Sequence, residues 1–560
     1  MNFWTTHQIQ NSTMDFIEIS PKCQKNRILP CMSNNIRFTP IGGVGQIGSN
    51  MSLVEADGAR FIIDSGILFP YEDFFDLNYL IPDMSDLGKI DRIIITHGHE
   101  DHIGAIAHFR DNYPDVPIHT PKFAALLMAK KLREAGHAQK FEIYKDLDEI
   151  KLTDSLSVFP VRVDHSIPDT HGLLICDKKS DTALIYASDF KVDNIKSPSL
   201  TAAAKRFSTF THRVALFDST NMTSGQDKTL SEDELYEDLK TVIEESSGRV
   251  FLTAFASNVD RIQTVNKICS ELRRPMVMIG RSMKFYTQTA AEEGYLKEYS
   301  KIHYDWGEVL PDQKNLVCLV SGCQGDFKSA TRRIITDEDS SLILNETDTF
   351  IFSSKTIPGN EKKLSLLENK LSNRGVRVIK PGKYKIHASG HACKEDLKLM
   401  YQLFKPTHVI PIHGESTFLD AHIEFAKGLL KDINCYRLLN FRGFEIEKNG
   451  EVHIFQLDQL DPILIHGKGI EIERSALSER RKMACNGVIF VSLNLKSQKY
   501  FIDMRGLPKK ITDRKEQLEN LVKVHLNGKK FRGTEDLRVN IRRFCQEHLG
   551  YKPVTLVQEV

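Results

Sequence analysis

Short apolar runs, each followed at once by polar or small residues, recur along the chain from Ile36 onward. Such runs are too short for helices and predict buried strands. The clearest are Arg60–Asp64, Arg92–Thr96, Ala183–Tyr186 and Val214–Phe217. Polar residues at the ends of buried strands are typical of a rigid sheet that carries a functional site.

The pattern changes after Asp218, where amphipathic segments begin to alternate with the apolar runs. Ser231 and Glu234 have the spacing of a capping box, and helical periodicity follows to about Glu245. One of the segments that follow, Asn258–Leu272, predicts a helix. The others predict strands: Val250–Ala254, Pro275–Ile279, Leu316–Val320 and Phe350–Phe352. This alternation predicts a second α/β unit with a parallel sheet, which ends near Lys385.

The last third of the chain begins with one more buried strand, Val409–Ile412, which two amphipathic segments flank. Residues 446–475 have the pattern of a connector with strands. The tail from 476 to 560 contains 18 Lys and Arg against 9 Asp and Glu, a balance of +9. Such a basic module indicates either an acidic partner, such as nucleic acid, or merely a solvated face.

Composition excludes several classes of protein. The 560 residues are 27% charged and 41% hydrophobic with a net charge of +1, which is typical of a folded globular chain rather than a disordered one. No apolar run approaches the roughly 18 residues that would span a bilayer. The ten cysteines show no C-x-x-C spacing, so a disulfide scaffold or a zinc finger is not expected, and a cytoplasmic protein fits best.

Residues 1–35 lack periodicity, and we expect a disordered extension or a misplaced start.

The strongest chemical signal is a cluster of histidines and an aspartate directly after a predicted strand. His97, His99, Asp101 and His102 lie within six positions. Side chains two apart on an extended backbone point the same way, so His97 and His99 can share one ion. Asp101 and His102 follow where the chain turns and can reach a second ion. Imidazole and carboxylate are the usual ligands of zinc.

One such cluster cannot complete two metal sites, so further ligands must come from other strand ends. Asp64, His165, Asp189 and His413 each lie at the end of a different predicted strand. A single aspartate or histidine there is often only a turn or cap residue. Four of them beside the cluster favour a metal site.

These residues, together with a series of further segments, resemble the β-CASP nucleases of the metallo-β-lactamase fold, and specifically the bacterial ribonuclease J family. The segments are 42–48, 165–169, 189–191, 218–221, 255–258, 280–283, 357–361, 387–391 and 411–415. The resemblance covers about Ile36 to Val560. It implies an αββα metallo-β-lactamase domain in two parts, interrupted by an α/β β-CASP domain, then a small α+β C-terminal domain. The expected boundaries are 36–217, 218–385, 386–445, a linker at 446–475, and 476–560.

The resemblance also implies a role for each residue of the metal cluster. One Zn2+ would be held by His97, His99 and His165, and a second by Asp101, His102 and His413. Asp189 would bridge the two ions, with Mn2+ as an alternative metal. Asp64 would orient the loop of the histidine cluster, and His391 would assist catalysis beside Asp101 by polarising a phosphate oxygen or protonating the leaving oxygen.

The terminal nucleotide and its 5′ phosphate would lie between two segments. The first is Phe255, Ala256 and Ser257, where N–H groups at a helix start can bind phosphate. The second is His387, Ala388, Ser389, Gly390 and His391, where the glycine permits close backbone approach. Three positions depart from the family: Asp260 for the usual histidine, Ser188 for the usual glycine, and Cys393.

The implied function is a zinc-dependent ribonuclease that digests single-stranded RNA from a 5′-monophosphate end and can also cut internally, in rRNA and mRNA maturation and decay. A homodimer or homotetramer, RNA-decay partner proteins and no membrane association are implied as well. Two alternatives remain. One is a thioesterase or lactamase of the same fold, which would lack the long insert from Asp218 to Lys385. The other is a non-catalytic RNA-binding or scaffold paralogue, which loss of ligands would signal.

Overall fold

The computed structural model describes residues 35–70, 77–297, 299, 301–308, 313–339, 341–357, 359–527 and 533–560. The predicted N-terminal extension lies outside the described residues, except for Asn35, which begins the first strand. Among the described residues, no helix is long and apolar enough to cross a bilayer.

Two sheets stack face to face in the first domain. The larger has eight strands, in spatial order Val452–Gln456, Arg442–Glu447, Asn35–Gly42, Met51–Ala56, Ala59–Ile63, Arg92–Ile94, Ile118–Thr120 and Glu142–Ile143. The other has seven, in the order Asn434–Cys435, His408–Ile412, His212–Asp218, Thr182–Tyr186, His171–Asp177, Leu156–Arg162 and Ile150–Lys151. The strands predicted from short apolar runs are confirmed as members of these sheets.

Side chains alternate between two cores along each central strand. Leu184 and Tyr186 face the space between the sheets, whereas Ala183 and Ile185 face outward. Both faces are buried because helices cover the outer sides: Glu100–Ile103, Ile106–Asn112, Lys122–Glu134, Pro198–Phe207, Lys394–Phe404 and Ser416–Leu429. Burying each large apolar side chain contributes about 1.5–3 kcal/mol. The result is the expected αββα arrangement.

The inserted domain is a parallel sheet with helices on both faces, as predicted. Its six strands lie in the order Ile302–His303, Met276–Ile279, Val317–Val320, Val250–Thr253, Thr349–Phe352 and Arg377–Ile379. The helices are Glu232–Glu244, Val259–Glu271, Arg281–Glu292, Ala330–Ile335 and Glu361–Ser372, with a short 3-10 turn at Trp306–Glu308. The capping box of Ser231 and Glu234 is confirmed.

Contacts between two helices fix the inserted domain against the first. Lys122 pairs with Glu293 at 2.6 Å, and the Lys130 ammonium lies 4.1 Å from the centre of the Phe285 ring. The Tyr295 hydroxyl donates to Asp169 at 3.2 Å. The first domain and one face of the insert also share a continuous apolar cluster. The site described below is therefore bordered by both domains.

The chain after the first domain forms two further units. Ile463–His466 pairs with Leu77–Ile81 and with Ile470–Ile472 in a small sheet. The helix Arg474–Asn486 follows. The last unit has its own core, built from strands and helices: Val488–Asn494, Lys499–Arg505, Val554–Glu559, Lys509–Thr512, Lys515–Asn527 and Thr534–Leu549. It has the α+β character expected of the C-terminal domain.

The segment expected to be a connector does contain strands. Its first part is built into the eight-stranded sheet, because Ile446 pairs with Ile36 and Val452 pairs with Ile446. A smaller two-stranded pairing joins Val44–Gly45 to Gly414–Glu415. That pairing brings the start of the chain beside His413.

Candidate active site

Seven predicted ligands converge in two groups that share one residue. His97, His99, His165 and Asp189 form the first group, and Asp101, His102, Asp189 and His413 form the second. Within each group the candidate ligand atoms all lie within 4.8 Å of one another. The structure thus brings together side chains from four separate segments, with Asp189 shared by the two groups.

Ring nitrogens in the first group face one another at short range. His99 Nδ1 lies 3.1 Å from His97 Nε2 and 3.0 Å from His165 Nε2. His165 Nδ1 lies 2.6 Å from the carbonyl oxygen of Gly390, which can only accept, so Nδ1 carries the proton and Nε2 a lone pair. A Cβ atom at Gly390 would lie 2.6 Å from the His165 ring, so only glycine allows this approach.

The same reasoning applies to His97. The Thr96 hydroxyl donates to Asp64 Oδ2 at 2.8 Å and therefore accepts from His97 Nδ1 at 3.0 Å. His97 Nε2 then carries a lone pair as well, as a metal ligand must. Outward hydrogen bonds of this kind hold the rings in the orientation that a shared cation requires.

In the second group, carboxylates face the inner nitrogens of two histidines. His102 Nδ1 donates to Asp64 Oδ2 at 2.8 Å, and its Nε2 lies 3.3 Å from Asp189 Oδ2. Thr220 donates to Asp218 and accepts from His413 Nδ1 at 2.7 Å, so His413 Nε2, 3.3 Å from Asp101 Oδ2, carries a lone pair. Lone pairs opposed to carboxylate oxygens repel unless a cation lies between them.

The pKa shifts differ between the two groups. Burial lowers the pKa of His97 and His165 well below the usual range and that of His99 to about 4, so these imidazoles are neutral at neutral pH. Burial also opposes charge on His413, but Asp189 and hydrogen bonds to carboxylates raise its pKa well above the usual value. The second group therefore attracts positive charge, which a metal ion at His413 Nε2 would supply in place of a proton.

A buried oxygen without a partner completes the test for a metal. Asp189 is 1% exposed, and its Oδ1 atom has no hydrogen-bond partner. A buried carboxylate oxygen in this state is costly unless a cation meets it. The donor set, the orientation of the rings and this oxygen all fit divalent metal ions in both groups.

Asp218 connects the two metal groups to His391, and it was not assigned a role from the sequence. Its Oδ2 atom accepts from His391 Nδ1 at 2.7 Å, and its Oδ1 atom lies 3.4 Å from His413 Nδ1. Asp218 is fully buried. The His391 ring packs on that of His413 with centroids 5.3 Å apart, which places it at the edge of the metal groups.

Asn50 was also missed. Its side-chain amide lies 3.0 Å from His102 Nε2 and 3.1 Å from the carbonyl oxygen of Asp101. From the sequence, the glycine-rich segment 42–48 contributed to the family resemblance but indicated no residue of the site. The polar residue that follows the loop is the one that reaches the site.

The predicted phosphate segment Phe255–Ser257 lies between the strand Val250–Thr253 and the helix Val259–Glu271. Phe255 is 40% exposed, and Ala256 and Ser257 are half-buried. The N–H groups of Asn258, Val259 and Arg261 already donate within this turn, so they are not available to a phosphate. The expectation for Phe255–Ser257 itself stays a prediction. Asn258 caps the helix with its side chain, so the Ser257 hydroxyl is the better candidate donor to phosphate.

The second predicted segment, His387–His391, is joined to the inserted domain through backbone atoms. Ser353 donates to the carbonyl oxygen of Ile386 at 2.6 Å. Asn221 donates to the Ser389 hydroxyl at 2.8 Å and to the His391 carbonyl oxygen at 2.8 Å. Burial lowers the pKa of His387 to about 4, and its Nδ1 atom is buried without a hydrogen-bond partner.

The cation that acts most on Asp260 is Lys191 rather than the neighbouring Arg261. Arg261 pairs with Glu232, through Nε at 2.8 Å and Nη2 at 2.9 Å. Burial, with Glu232 and Asp193 nearby, raises the pKa of Asp260 to about 7 against the opposing effect of Lys191. Asp260 is therefore partly neutral near neutral pH, which reduces its repulsion of a phosphate.

Comparison with known proteins gives three family models in order along the chain. The Metallo-beta-lactamase superfamily matches residues 44–177, the Ribonuclease J beta-CASP domain matches 247–371, and the Zn-dependent metallo-hydrolase RNA specificity domain matches 363–436. Ribonuclease J of Sinorhizobium meliloti is 32% identical over 485 residues, which cover 83% of this chain and 84% of that protein. The chain belongs to the ribonuclease J family.

Other members of the ribonuclease J family agree over similar lengths. Ribonuclease J of Thermus thermophilus is 32% identical and covers 82% of each chain, and that of Mycoplasma genitalium is 29% identical over 540 residues, 91% of this chain and 93% of that protein. A crystal structure of a protein of unknown function from Enterococcus faecalis matches 75% of this chain with a TM-score of 0.51 at 16% identity, and it supports the fold alone.

The three family matches cover different parts of the site. The metallo-β-lactamase match contains His97–His102 and His165, and the RNA specificity match contains His387–His391 and His413. The β-CASP match contains the phosphate segment Phe255–Ser257. Membership of this metallo-hydrolase family therefore supports a divalent metal in the two donor groups.

Proposed function

We propose that the protein is a zinc-dependent ribonuclease that hydrolyses phosphodiester bonds of single-stranded RNA. The observation that carries the proposal is the pair of donor groups that share Asp189, within a chain of the ribonuclease J family. The convergence of all seven predicted ligands disfavours a non-catalytic paralogue. The inserted parallel domain disfavours a thioesterase or lactamase, since such enzymes lack it.

The residues that would hold the ions are His97, His99, His165 and Asp189 in the first group, and Asp101, His102, Asp189 and His413 in the second. Divalent ions bound there would activate water as a nucleophile at neutral pH and neutralise charge on the phosphate. The donor chemistry also suits Mn2+, although the neutral imidazoles of the first group favour Zn2+.

His391 is the residue best placed to transfer a proton. Asp218 accepts from its Nδ1 atom, which leaves Nε2 for the phosphate or the leaving oxygen. Burial opposes charge on His391, but Asp218 and Asp189 raise its pKa above the usual value, so a protonated ring is available as an acid. The ring is about one-quarter exposed, whereas the ligands His165, Asp189 and His413 beside it are almost fully buried.

Asp64 is a positioning residue. Its carboxylate accepts from the Thr96 N–H at 2.7 Å and from His102 Nδ1 at 2.8 Å, and it is fully buried. Burial raises its pKa while His102 and Thr96 oppose that rise. These bonds hold the loop of the histidine cluster in place, and support of this kind typically matters 10–100-fold for metal affinity.

We further propose that the enzyme digests RNA from a 5′-monophosphate end, with internal cleavage as a second activity. The support is that Asn221 donates to both Ser389 and the His391 carbonyl oxygen, and that the helix which follows Ser257 is tied to the same segment, since Arg261 donates to the Ile386 carbonyl oxygen at 2.9 Å. A terminal phosphate bound there would place the first phosphodiester near the metal groups. rRNA and mRNA are the proposed targets, and assembly through residues 476–560 is the proposed oligomeric contact.

The test uses one RNA labelled at either end and carrying a 5′ monophosphate or a 5′ triphosphate. Metal content is measured on the same preparation. We expect two metal ions per chain, mononucleotide release from the 5′ end, and faster digestion of the monophosphate form. Mononucleotides released from the 3′ end, or no cleavage by fully metallated protein, would contradict the proposal.

A further inference from the structure

The carboxyl edge of the six-stranded sheet contains a crevice beside the proposed pocket for the RNA end. The strands Val250–Thr253 and Val317–Val320 are parallel neighbours. The chain leaves the first toward the helix Val259–Glu271, which packs on one face of the sheet, and leaves the second toward Ala330–Ile335, which packs on the other. Where neighbouring strands diverge in this way, a crevice opens outside their carboxyl ends, and ligands bind there in open α/β sheets.

Two exposed aromatic side chains flank the crevice. Phe255 is 40% exposed on the loop after the first strand, and Phe327 is 62% exposed on the loop after the second. The Phe327 loop is ordered: Ser329 N–H donates to the Asp326 carbonyl oxygen at 2.9 Å, and Gln324 donates to the Lys355 carbonyl oxygen at 3.0 Å. A large apolar ring held outward on an ordered loop is unfavourable in water, and such rings are typical of binding surfaces.

Positive charge also lies at this edge of the sheet. The guanidinium carbon of Arg332 lies 5.0 Å from the centre of the Phe327 ring, and Arg332 Nε is buried without a hydrogen-bond partner. Arg281, Arg333 and Lys355 are exposed on the same side of the domain, at or after the carboxyl ends of their strands. Single-stranded nucleic acid typically binds to surfaces on which aromatic rings lie among cations, because its bases stack on the rings and its phosphates pair with the charges.

The crevice is continuous with the proposed pocket for the RNA end. Thr253, the last residue of the first strand, is followed within four residues by Phe255 and Ser257. Ser353, after a neighbouring strand, donates to the Ile386 carbonyl oxygen next to His387. RNA that extends beyond the end pocket would therefore follow this edge.

We propose that the crevice between Phe255 and Phe327 binds the RNA segment upstream of the cleaved bond during internal cleavage. Phe327 stacks on a base, and Arg281 and Arg332 pair with phosphates. This inference rests on the proposed ribonuclease activity and refines it. It gives the two modes of cleavage different requirements, because an RNA end held in the pocket has no upstream segment.

The test compares two substrates. A circular single-stranded RNA has no ends and reports internal cleavage only, and a short linear RNA with a 5′ monophosphate reports end digestion. For Phe327→Ala we expect kcat/KM on the circle to fall about 5-fold to 150-fold, the range for losing the stacking of one base. The same variant should digest the short linear RNA at the parental rate. Phe327→Tyr should restore cleavage of the circle, whereas Phe327→Leu should not.

Leu366→Ala is the matched control, because Leu366 is 59% exposed on the helix Glu361–Ser372 of the same domain. It should leave both activities unchanged. Equal losses on the circle and the linear RNA, or no loss on either, would overturn the inference. A parent enzyme that digests the linear RNA but never cuts the circle would also overturn it while leaving end digestion intact. A parent that cuts neither substrate would instead refute the proposed function.

Discussion

Asp218→Asn tests whether the carboxylate that links His391 to His413 is needed for catalysis. The Asp218 side chain is fully buried and accepts from three groups: His391 Nδ1 at 2.7 Å, and the N–H and hydroxyl of Thr220 at 2.8 and 2.6 Å. His413 Nδ1 lies 3.4 Å from the same oxygen as Thr220. An amide has the same shape, but its NH2 group must face either His391 or the Thr220 side.

The magnitude follows from these bonds. A hydrogen bond to a charged group contributes about 1.5–3 kcal/mol, and a buried donor left without an acceptor costs about 1–3 kcal/mol. If the NH2 group faces His391, the ring loses its fixed orientation, and kcat should fall about 10-fold to 150-fold. If the NH2 group faces Thr220 and His413, metal affinity should fall instead, by about 10–100-fold.

The assay measures kcat, KM and bound zinc on the same preparation with a 5′-monophosphate RNA. Asp177→Asn is the matched control. Asp177 is also a fully buried carboxylate of the seven-stranded sheet, but it accepts only from the local groups of Lys179 and Ser180. That variant should lose stability and keep its activity per folded molecule. Parental kcat together with parental zinc content in Asp218→Asn would refute the reasoning.

Four further predictions follow from the site and the domains. Removing metal with a chelator should abolish cleavage and lower Tm, with recovery on adding Zn2+ or Mn2+; persistence of cleavage without metal would contradict the two-metal site. Replacing Ser257 and Ser389 together by Ala should slow end digestion more than internal cutting, and equal losses would contradict a phosphate pocket there. Deleting 476–560 should lower the mass seen by light scattering and reduce activity without loss of metal; an unchanged mass would contradict assembly through this domain. Burial, with Glu232 nearby, raises the pKa of Asp260 to about 7, so stability from its neutral form is lost as pH rises toward and through that value. Asp260→Asn should therefore raise Tm at pH 8 more than at pH 5, and an equal change at both values would contradict the shift.

The metal ligands could be predicted from the sequence because each has a distinctive residue type at the end of an apolar run. Asp218 and Thr220 could not be assigned roles in the same way. They occur in a polar turn after a strand, and Thr220 meets His413 only across 193 positions of sequence. Hydrogen bonds that orient a ligand leave no local pattern, since serine, threonine and aspartate are common in turns for other reasons.

Prediction of the fold from the sequence was limited in a similar way. Alternating strands and helices predicted a parallel sheet in the insert, but such a pattern does not specify which strands are neighbours. Val250–Thr253 lies between Val317–Val320 and Thr349–Phe352, which both follow it by more than sixty residues. The strand Arg442–Glu447 pairs with Asn35–Gly42 from the other end of the chain. Pairings over such distances are decided by the packing of whole layers rather than by local preference.

The backbone around the metal groups explains a departure from the family pattern that the sequence alone left open. Asp64, Ser188 and His413 have φ values of 62°, 56° and 49°, in the left-handed region that residues other than glycine seldom adopt. Each such residue costs about 1–3 kcal/mol unless its surroundings fix it. Ser188 stands where the family usually has glycine, and its hydroxyl donates to Thr96 at 2.9 Å, which offsets part of that cost. Because Thr96 also bonds Asp64 and His97, the serine adds one more contact to the network that orients the first metal group.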